Sequence, residues 1–253
     1  MRGPNLNSCH TVHVLTATRM SAARQPLKAV ESLHKCGIIH GDVNSGNVLW
    51  DMVPLDKYNT TTKYKYLCRP KRLPIKPELW KPGELVGEAT IPQSLLGEEL
   101  YLGDFGLATD AENQVVTEWR PALGYCPPER MHGFPASFAG DMWGYMCIYL
   151  RLYFDYFLLG RGITRIRGPM PEWKGQGGAW AEDKMYDQNT TFDPRAKLED
   201  RIKFKNPGVS TAELGHMTSI VLRVLRYDPK ERLTATQLLN DASFRAVMDI
   251  YCP

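Results

Sequence analysis

The stretch His40-Gly41-Asp42-Val43-Asn44-Ser45-Gly46-Asn47-Val48-Leu49 decides how this chain is read. A helix signature precedes it. From Gln25 to His34, the residues Leu27, Val30, Leu33 and His34 recur at helical spacings, and Gly37 is placed to end the helix. Pro26 suits the first turn, where its missing N–H costs nothing. Val48-Leu49-Trp50 follows as a short strand. The polar turn between them carries an Asp and an Asn five positions apart. On such a loop a carboxylate can orient a nucleophilic hydroxyl, and an amide can coordinate a cation. Leu100-Tyr101-Leu102 reads as a second strand, and Gly103-Asp104-Phe105-Gly106 ends it with a further carboxylate that can bind Mg²⁺. A base-like Asp, with an Asn and an Asp that hold Mg²⁺ against phosphate oxygens, is what phosphoryl transfer requires.

With these residues in place the chain resembles the protein kinases. His40-Gly41-Asp42 with Asn47 matches the catalytic-loop pattern H-R-D-x-x-x-x-N, and Asp104-Phe105-Gly106 matches D-F-G. Pro127-Pro128-Glu129 looks like the A-P-E motif that closes the activation segment. Asp141-Met142-Trp143 resembles the D-x-W at the start of the central buried helix. Gly168-Pro169-Met170-Pro171-Glu172-Trp173 resembles the segment after the next helix, and Asp228 to Ala235 resembles D-P-x-x-R-x-T/S-A near the end of the domain. The likeness covers roughly residues 25 to 246, with the motifs in the family's order.

The resemblance implies ATP and Mg²⁺ as cofactors, Asp42 as the catalytic residue, and Asn47 and Asp104 as the Mg²⁺ and cofactor ligands. It implies structural roles for Glu129 and Arg232, as a buried ion pair, and for Asp141, holding the catalytic-loop backbone from the central helix. Three positions depart from the pattern. Gly41 replaces the Arg that reads a phosphorylated activation loop, which weakens any regulatory reading of Thr109 or Thr117. Asn44 replaces the Lys that contacts the transferred phosphate, and Ala122 replaces a Thr that bonds the catalytic Asp. Losing a charged donor aimed at developing phosphate charge costs roughly two to three orders of magnitude in rate.

From Asp51 to about Glu99 the periodicity fails amid repeated prolines and a basic run from Lys63 to Lys76. So long a structureless stretch reads as an insertion or spacer between catalytic loop and D-F-G motif, or as disorder. A spacer here is similar to that of the SR-protein kinases, and the wording suggests a fungal subgroup of them. The basic run reads first as a solvated loop and second as a nuclear-localisation or acidic-partner patch. Only 41 residues precede Asp42, and none spells G-x-G-x-x-G or a V-A-I-K-like stretch. The expected fold is therefore mainly α within the α+β family. Residues 1–253 form one kinase-like domain truncated at the N-terminus, with a large lobe from about residue 15, a long insertion over 51–99 and the small lobe absent. That absence implies feeble nucleotide affinity and impaired activity.

Hydrophobic residues at 43% and charged ones at 23% exclude disordered and fibrous classes. A net charge of +3 is too small to argue for nucleic acid. The six cysteines lack a CxxC pair, so neither a disulfide framework nor a zinc cluster is expected, and a reducing compartment fits. Without a secretory h-region the expected location is cytoplasmic, nuclear or both. Met142 to Leu159 is interrupted by Arg151 and Asp155 and reads as a buried helix, not a membrane span. Tyr145, Tyr149, Tyr153 and Tyr156 form an aromatic stripe in it. His10, His13, His34, His132 and His216 show no metal-ligand spacing. Thr211 to Arg226 and Ala235 to Met248 read as amphipathic helices, and Arg161 to Pro194 as irregular.

The leading functional expectation is a serine/threonine protein kinase acting on a protein substrate, Ser/Arg-rich in the SR-kinase reading. Against basic substrates stand Arg161, Arg165 and Arg167. An aminoglycoside/choline-kinase-like phosphotransferase explains Gly41, since such loops often read H-G-D-x-x-x-x-N, but not the motifs around Glu129, Asp141 and Arg232. A pseudokinase fragment acting by binding is the non-enzymatic alternative.

Overall fold

The computed structural model describes residues 2–7, 16–75, 81–87, 89, 91–113, 121–155 and 193–251. At its centre lies a helix that is apolar on all sides, α5 (Phe138–Phe154), preceded by α1 (Thr16–Ser21), α2 (Arg24–Lys35), α3 (Thr60–Leu67) and the short α4 (Pro128–Met131). A helix without a polar face must be enclosed. Here every residue from Asp141 to Leu150 is buried. Ser137 caps its N-terminus, its Oγ accepting from the Gly140 N–H at 3.0 Å, and Asp155 ends it in the left-handed conformation.

The tyrosine stripe ties the enclosing layers together. The hydroxyl of Tyr145 donates to the Ala23 carbonyl before α2 at 3.0 Å. Tyr149 reaches Met217 Sδ at 3.4 Å, and Tyr153 donates to Glu213 Oε1 at 2.7 Å, both on α7 (Thr211–Val224). Each buried phenol thus has a partner for its polar end. Desolvation by burial pushes the Tyr145 and Tyr149 hydroxyls well above their ordinary range. Further layers come from α6 (Pro194–Lys205), α8 (Ala235–Leu239) and α9 (Ala242–Tyr251).

Beside the helices stands an antiparallel sheet of β1 (Arg2–Asn5), β3 (Val48–Met52) and β6 (Leu96–Leu102), with β3 in the middle. Val48, Trp50 and Met52 alternate inward, as a period of two requires. Pairing Val48 with Leu102 and Met52 with Leu96 fixes the register. Two smaller ribbons follow: β2 (Ile38–Ile39) with β7 (Thr109–Asp110), and β4 (Arg72–Pro74) with β5 (Glu84–Val86).

Several expectations are corrected here. The fold is not a lone large lobe that starts near residue 15 and lacks what precedes it. Arg2–Asn5 is the edge strand of the sheet, and the Leu6 N–H donates to Ser45 O at 3.1 Å and Val48 O at 3.0 Å. The N-terminal residues therefore satisfy backbone groups of the central strand and the loop before it. Nor is 51–99 structureless. It holds α3, capped by Asn59 (Oδ1 to Thr62 N–H, 2.9 Å), the β4–β5 ribbon and the first half of β6. A satellite core of Met52, Leu55 and Leu95 anchors its ends. The helix expected over Ala235 to Met248 breaks at Asn240-Asp241, where Asp241 Oδ1 accepts from the Ser243 and Phe244 N–H groups and starts α9.

The Gly168–Trp173 wording, Arg161, Arg165, Arg167, Thr117, Tyr156, His10, His13 and Lys76 lie outside the described residues. Among the described residues no helix is long and apolar enough to cross a membrane.

Candidate active site

Asp42 sits on the loop between β2 and β3, and its neighbours fix it from both sides. Asn47 Nδ2 donates to the Asp42 carbonyl and to Asp42 Oδ2, both at 2.9 Å. The five-residue spacing read from the sequence thus closes the loop on itself. Asp42 Oδ1, by contrast, is buried with no hydrogen-bond partner among the described residues. A buried carboxylate oxygen in that state costs about 1–3 kcal/mol unless something bonds it.

Asp104 reaches the same place through its neighbour. The Gly103 N–H donates to the Asn47 carbonyl at 2.8 Å, and His40 Nε2 meets the Gly103 carbonyl at 3.1 Å. Because the Asp42 N–H donates to His40 Nδ1 at 3.3 Å, the network assigns the ring proton to Nε2. Phe105 packs against the His40 ring in a tilted arrangement, with centroids 5.0 Å apart. Asp104 itself has φ +61, an uncommon conformation outside glycine, and its exposed carboxylate accepts only from the Gly106 N–H, at 3.3 Å, among the described residues. The β2–β7 pairing and the Ala111 N–H to Gly37 carbonyl bond (2.9 Å) lay the chain after Asp104 along the entrance to the catalytic loop.

From below, Asp141 at the start of α5 receives the His40 N–H at 2.8 Å on Oδ2 and the Gly41 N–H at 2.9 Å on Oδ1. His34 Nε2 approaches the same Oδ2 at 3.0 Å. One buried carboxylate therefore orients two successive amides of the loop. One turn on, Gly144 lets α5 touch the loop: a Cβ there would stand 2.2 Å from the Val43 carbonyl oxygen.

Glu129 and Arg232 meet away from the loop, in two parallel bonds of 2.5 and 2.6 Å. The guanidinium also donates to the carbonyls of Ala139, Arg226 and Tyr227 and lies over the Trp143 ring at 4.8 Å. The pair joins the segment after the candidate site to the C-terminal helices.

Two of the three departures from the kinase pattern, Gly41 and Asn44, have local reasons. Gly41 has φ +77, and a Cβ on it would lie 2.6 Å from the Leu107 carbonyl oxygen, so no side chain fits without moving that backbone. Asn44 is turned into its own loop. Its Oδ1 accepts from the Gly46 N–H at 2.7 Å, and its Nδ2 donates to the Asp42 carbonyl at 3.2 Å.

Two other residues hold the site without any motif that marks them. Ser45 is fully buried and its hydroxyl bonds both Asn7 Oδ1 and, at 2.5 Å, the Tyr125 hydroxyl. This joins the N-terminus, the catalytic loop and the segment before Glu129. His34 is the other. Its position on the inward face of α2 was legible; its role as a partner of Asp141 was not.

The protein kinase domain family matches residues 5–244. That extent overturns the expectation of a lone large lobe with its small lobe absent, and the impairment argued from that absence loses its basis. The chain is 23% identical over 236 residues to the probable serine/threonine-protein kinase clkA of Dictyostelium discoideum, covering 86% of this chain and 23% of the relative. It is 25% identical over 240 residues to serine/threonine-protein kinase AFC1 of Arabidopsis thaliana, covering 87% of this chain and 48% of the relative. The chain thus spans less than half the length of these curated relatives. A domain match over nearly all its residues, on a fold that gathers Asp42, Asn47 and Asp104 around one loop pair, means that the chain belongs to the protein kinase family.

Proposed function

We propose that this chain is a serine/threonine protein kinase, transferring the terminal phosphoryl group of ATP, as its Mg²⁺ complex, to hydroxyls of protein substrates. One observation carries the reading. Asp42 has one carboxylate oxygen fixed by Asn47 at 2.9 Å and the other buried without a partner among the described residues. That arrangement suits a base whose remaining oxygen accepts a hydroxyl.

In this reading the substrate oxygen forms its bond to the γ-phosphorus while its proton passes to Asp42. The bond from that phosphorus to the bridging oxygen breaks, and ADP leaves. Asn47 spends its amide N–H groups on Asp42, which leaves its carbonyl oxygen for a cation, and Asp104 offers an exposed carboxylate. These are hard oxygen donors of the kind Mg²⁺ takes, so the residues fit the ion. When bound, it neutralises charge on the phosphates. Asp141, Glu129 and Arg232 act by position: they hold the loop and the segment behind it within the narrow geometry that transfer needs.

The finer reading is a Ser/Arg-rich protein substrate and a cytoplasmic or nuclear location, supported by the spacer between Asn47 and Asp104 and by the lack of a CxxC pair among the six cysteines. The test is a competition. Labelled ATP and Mg²⁺ are offered with a Ser/Arg-rich peptide, a tyrosine peptide, an aminoglycoside and choline. Label on peptide serine is expected. Label on the aminoglycoside or choline would overturn the protein-kinase activity, and label on a serine peptide without arginine alone would overturn the finer substrate.

A further inference from the structure

The β4–β5 ribbon stands apart from the other sheets, since β4 and β5 pair only with each other among the described residues. Leu73 faces Leu85 across the ribbon, and these two side chains are 57% and 58% exposed. Val86, on the opposite face, is 68% exposed. An isolated two-stranded ribbon is marginal in water, and a neighbouring pair of uncovered aliphatic side chains adds cost without stabilising it.

The surroundings give the charge of whatever would cover it. Between Lys57 and Gly87 the sequence holds eight Lys and Arg residues against Glu78 and Glu84 alone, whereas the whole chain has a net charge of only +3. Positive charge is therefore concentrated on this excursion, and the remainder of the chain is net negative. Lys71, Arg72 and Lys81 are exposed on or beside the strands. Among the described residues, only Arg72 of these three has an acidic partner, Glu84 at 3.3 Å. The nearby aromatic rings are occupied within the segment: Arg69 lies over Tyr64 at 5.7 Å, and Tyr58 packs against Tyr66 at 5.7 Å.

Register indicates which edge is available. The Gly87 N–H bonds the Lys71 carbonyl at 2.8 Å, and the Ile75 N–H bonds the Gly83 carbonyl at 2.9 Å. Alternation of an antiparallel ladder then turns the backbone groups of Leu85 toward β4 and those of Glu84 and Val86 outward. On the other edge, Pro74 within β4 and Pro70 just before it lack N–H donors. The edge of β5 has donors and acceptors in sequence, with no proline between Glu84 and Val86.

From these observations we infer that the ribbon is a docking site for an acidic protein segment, which adds to β5 as a third strand, places aliphatic residues at alternate positions over Leu73 and Leu85, and sets its carboxylates against the surrounding Lys and Arg. This is strand addition: backbone bonds supply affinity, and alternate side chains supply specificity. The site is independent of Asp42, so it stands or falls apart from the catalytic reading.

The test titrates the full chain into a fluorescent peptide of alternating valine and glutamate and reads anisotropy. Parallel arms use polyglutamate, an alternating valine–lysine peptide and a single-stranded RNA. The valine–glutamate peptide is expected to bind best, and to weaken as salt rises. Leu73→Asp with Leu85→Asp should weaken it by about tenfold or more, near 1.4 kcal/mol. Val86→Pro, which removes one outward N–H without touching the bonds between β4 and β5, should do so too. Equal binding of polyglutamate would overturn strand addition, as would unchanged binding by both variants. Preference for RNA, or self-association of the chain that excludes the peptide, would overturn the acidic-segment assignment.

Discussion

The frame around the catalytic loop and the excursion from Asp51 to Glu99 lie next to each other on β3 and β6, yet they are held by different means. In the frame, buried charges are bonded several times over. Asp141 takes two loop amides and His34, and Arg232 takes both oxygens of Glu129 and three carbonyls. In the excursion, α3 buries none of its residues, and the Arg72–Glu84 pair is open to water, its side chains 73% and 58% exposed. The same interaction types are present in both, but only burial makes the loss of a partner expensive. A kinase site needs the first kind of holding, and a docking surface tolerates the second.

That contrast can be broken by substitution. Arg232→Ala strands the buried Glu129 carboxylate and should lower unfolding free energy by about 3–5 kcal/mol, read from denaturant midpoints. A loss near that of a surface pair would remove the distinction. Next in size are two glycines of the frame. Gly144→Ala forces a methyl against the Val43 carbonyl at 2.2 Å, and Gly41→Arg needs both a left-handed backbone and displacement of Leu107. Each should cost about 1–3 kcal/mol or more, so restoring the family's usual Arg at 41 should destabilise this chain. As a control, Gly215→Ala in α7 meets nothing within 4 Å and should stabilise by about 0.4–1 kcal/mol. Smallest is Arg72→Ala, expected to change stability by no more than about 0.2–1 kcal/mol.

The same contrast explains what was legible from the residues alone. The β3 strand, α5 and the helix around Leu27 and Val30 announce themselves because burial imposes a period of two, an unbroken apolar run or a spacing of three and four. Asp42, Asn47 and Asp104 stand out because few residue types supply a base and hard oxygen ligands at fixed separations. The excursion carried no such signal. In α3 no residue is buried, so its only sequence mark is the Asn59 cap, and the β4–β5 strands are three residues each among prolines. The N-terminal strand was missed for another reason: Arg2–Asn5 reads as Arg-Gly-Pro-Asn, without alternation, and takes its shape from pairing with β3. Counting residues before Asp42 then suggested a missing lobe, an inference the family match over residues 5–244 overturns. In the family pattern Gly41 stands where a phosphate-reading Arg is usual. Its conformation gives a nearer cause, the contact with Leu107.

In the proposed function the Asp42–Asn47 pair is a catalytic device and not only a closed turn. The most direct measurement is the steady-state rate of phosphate transfer from Mg·ATP to a serine peptide by the unaltered chain and by Asp42→Asn, with thermal unfolding followed on both. A fall in kcat of about 10²–10⁴-fold is expected, with the unfolding temperature little changed, since the amide keeps the loop's shape while losing the base. Equal rates in the two proteins would contradict it.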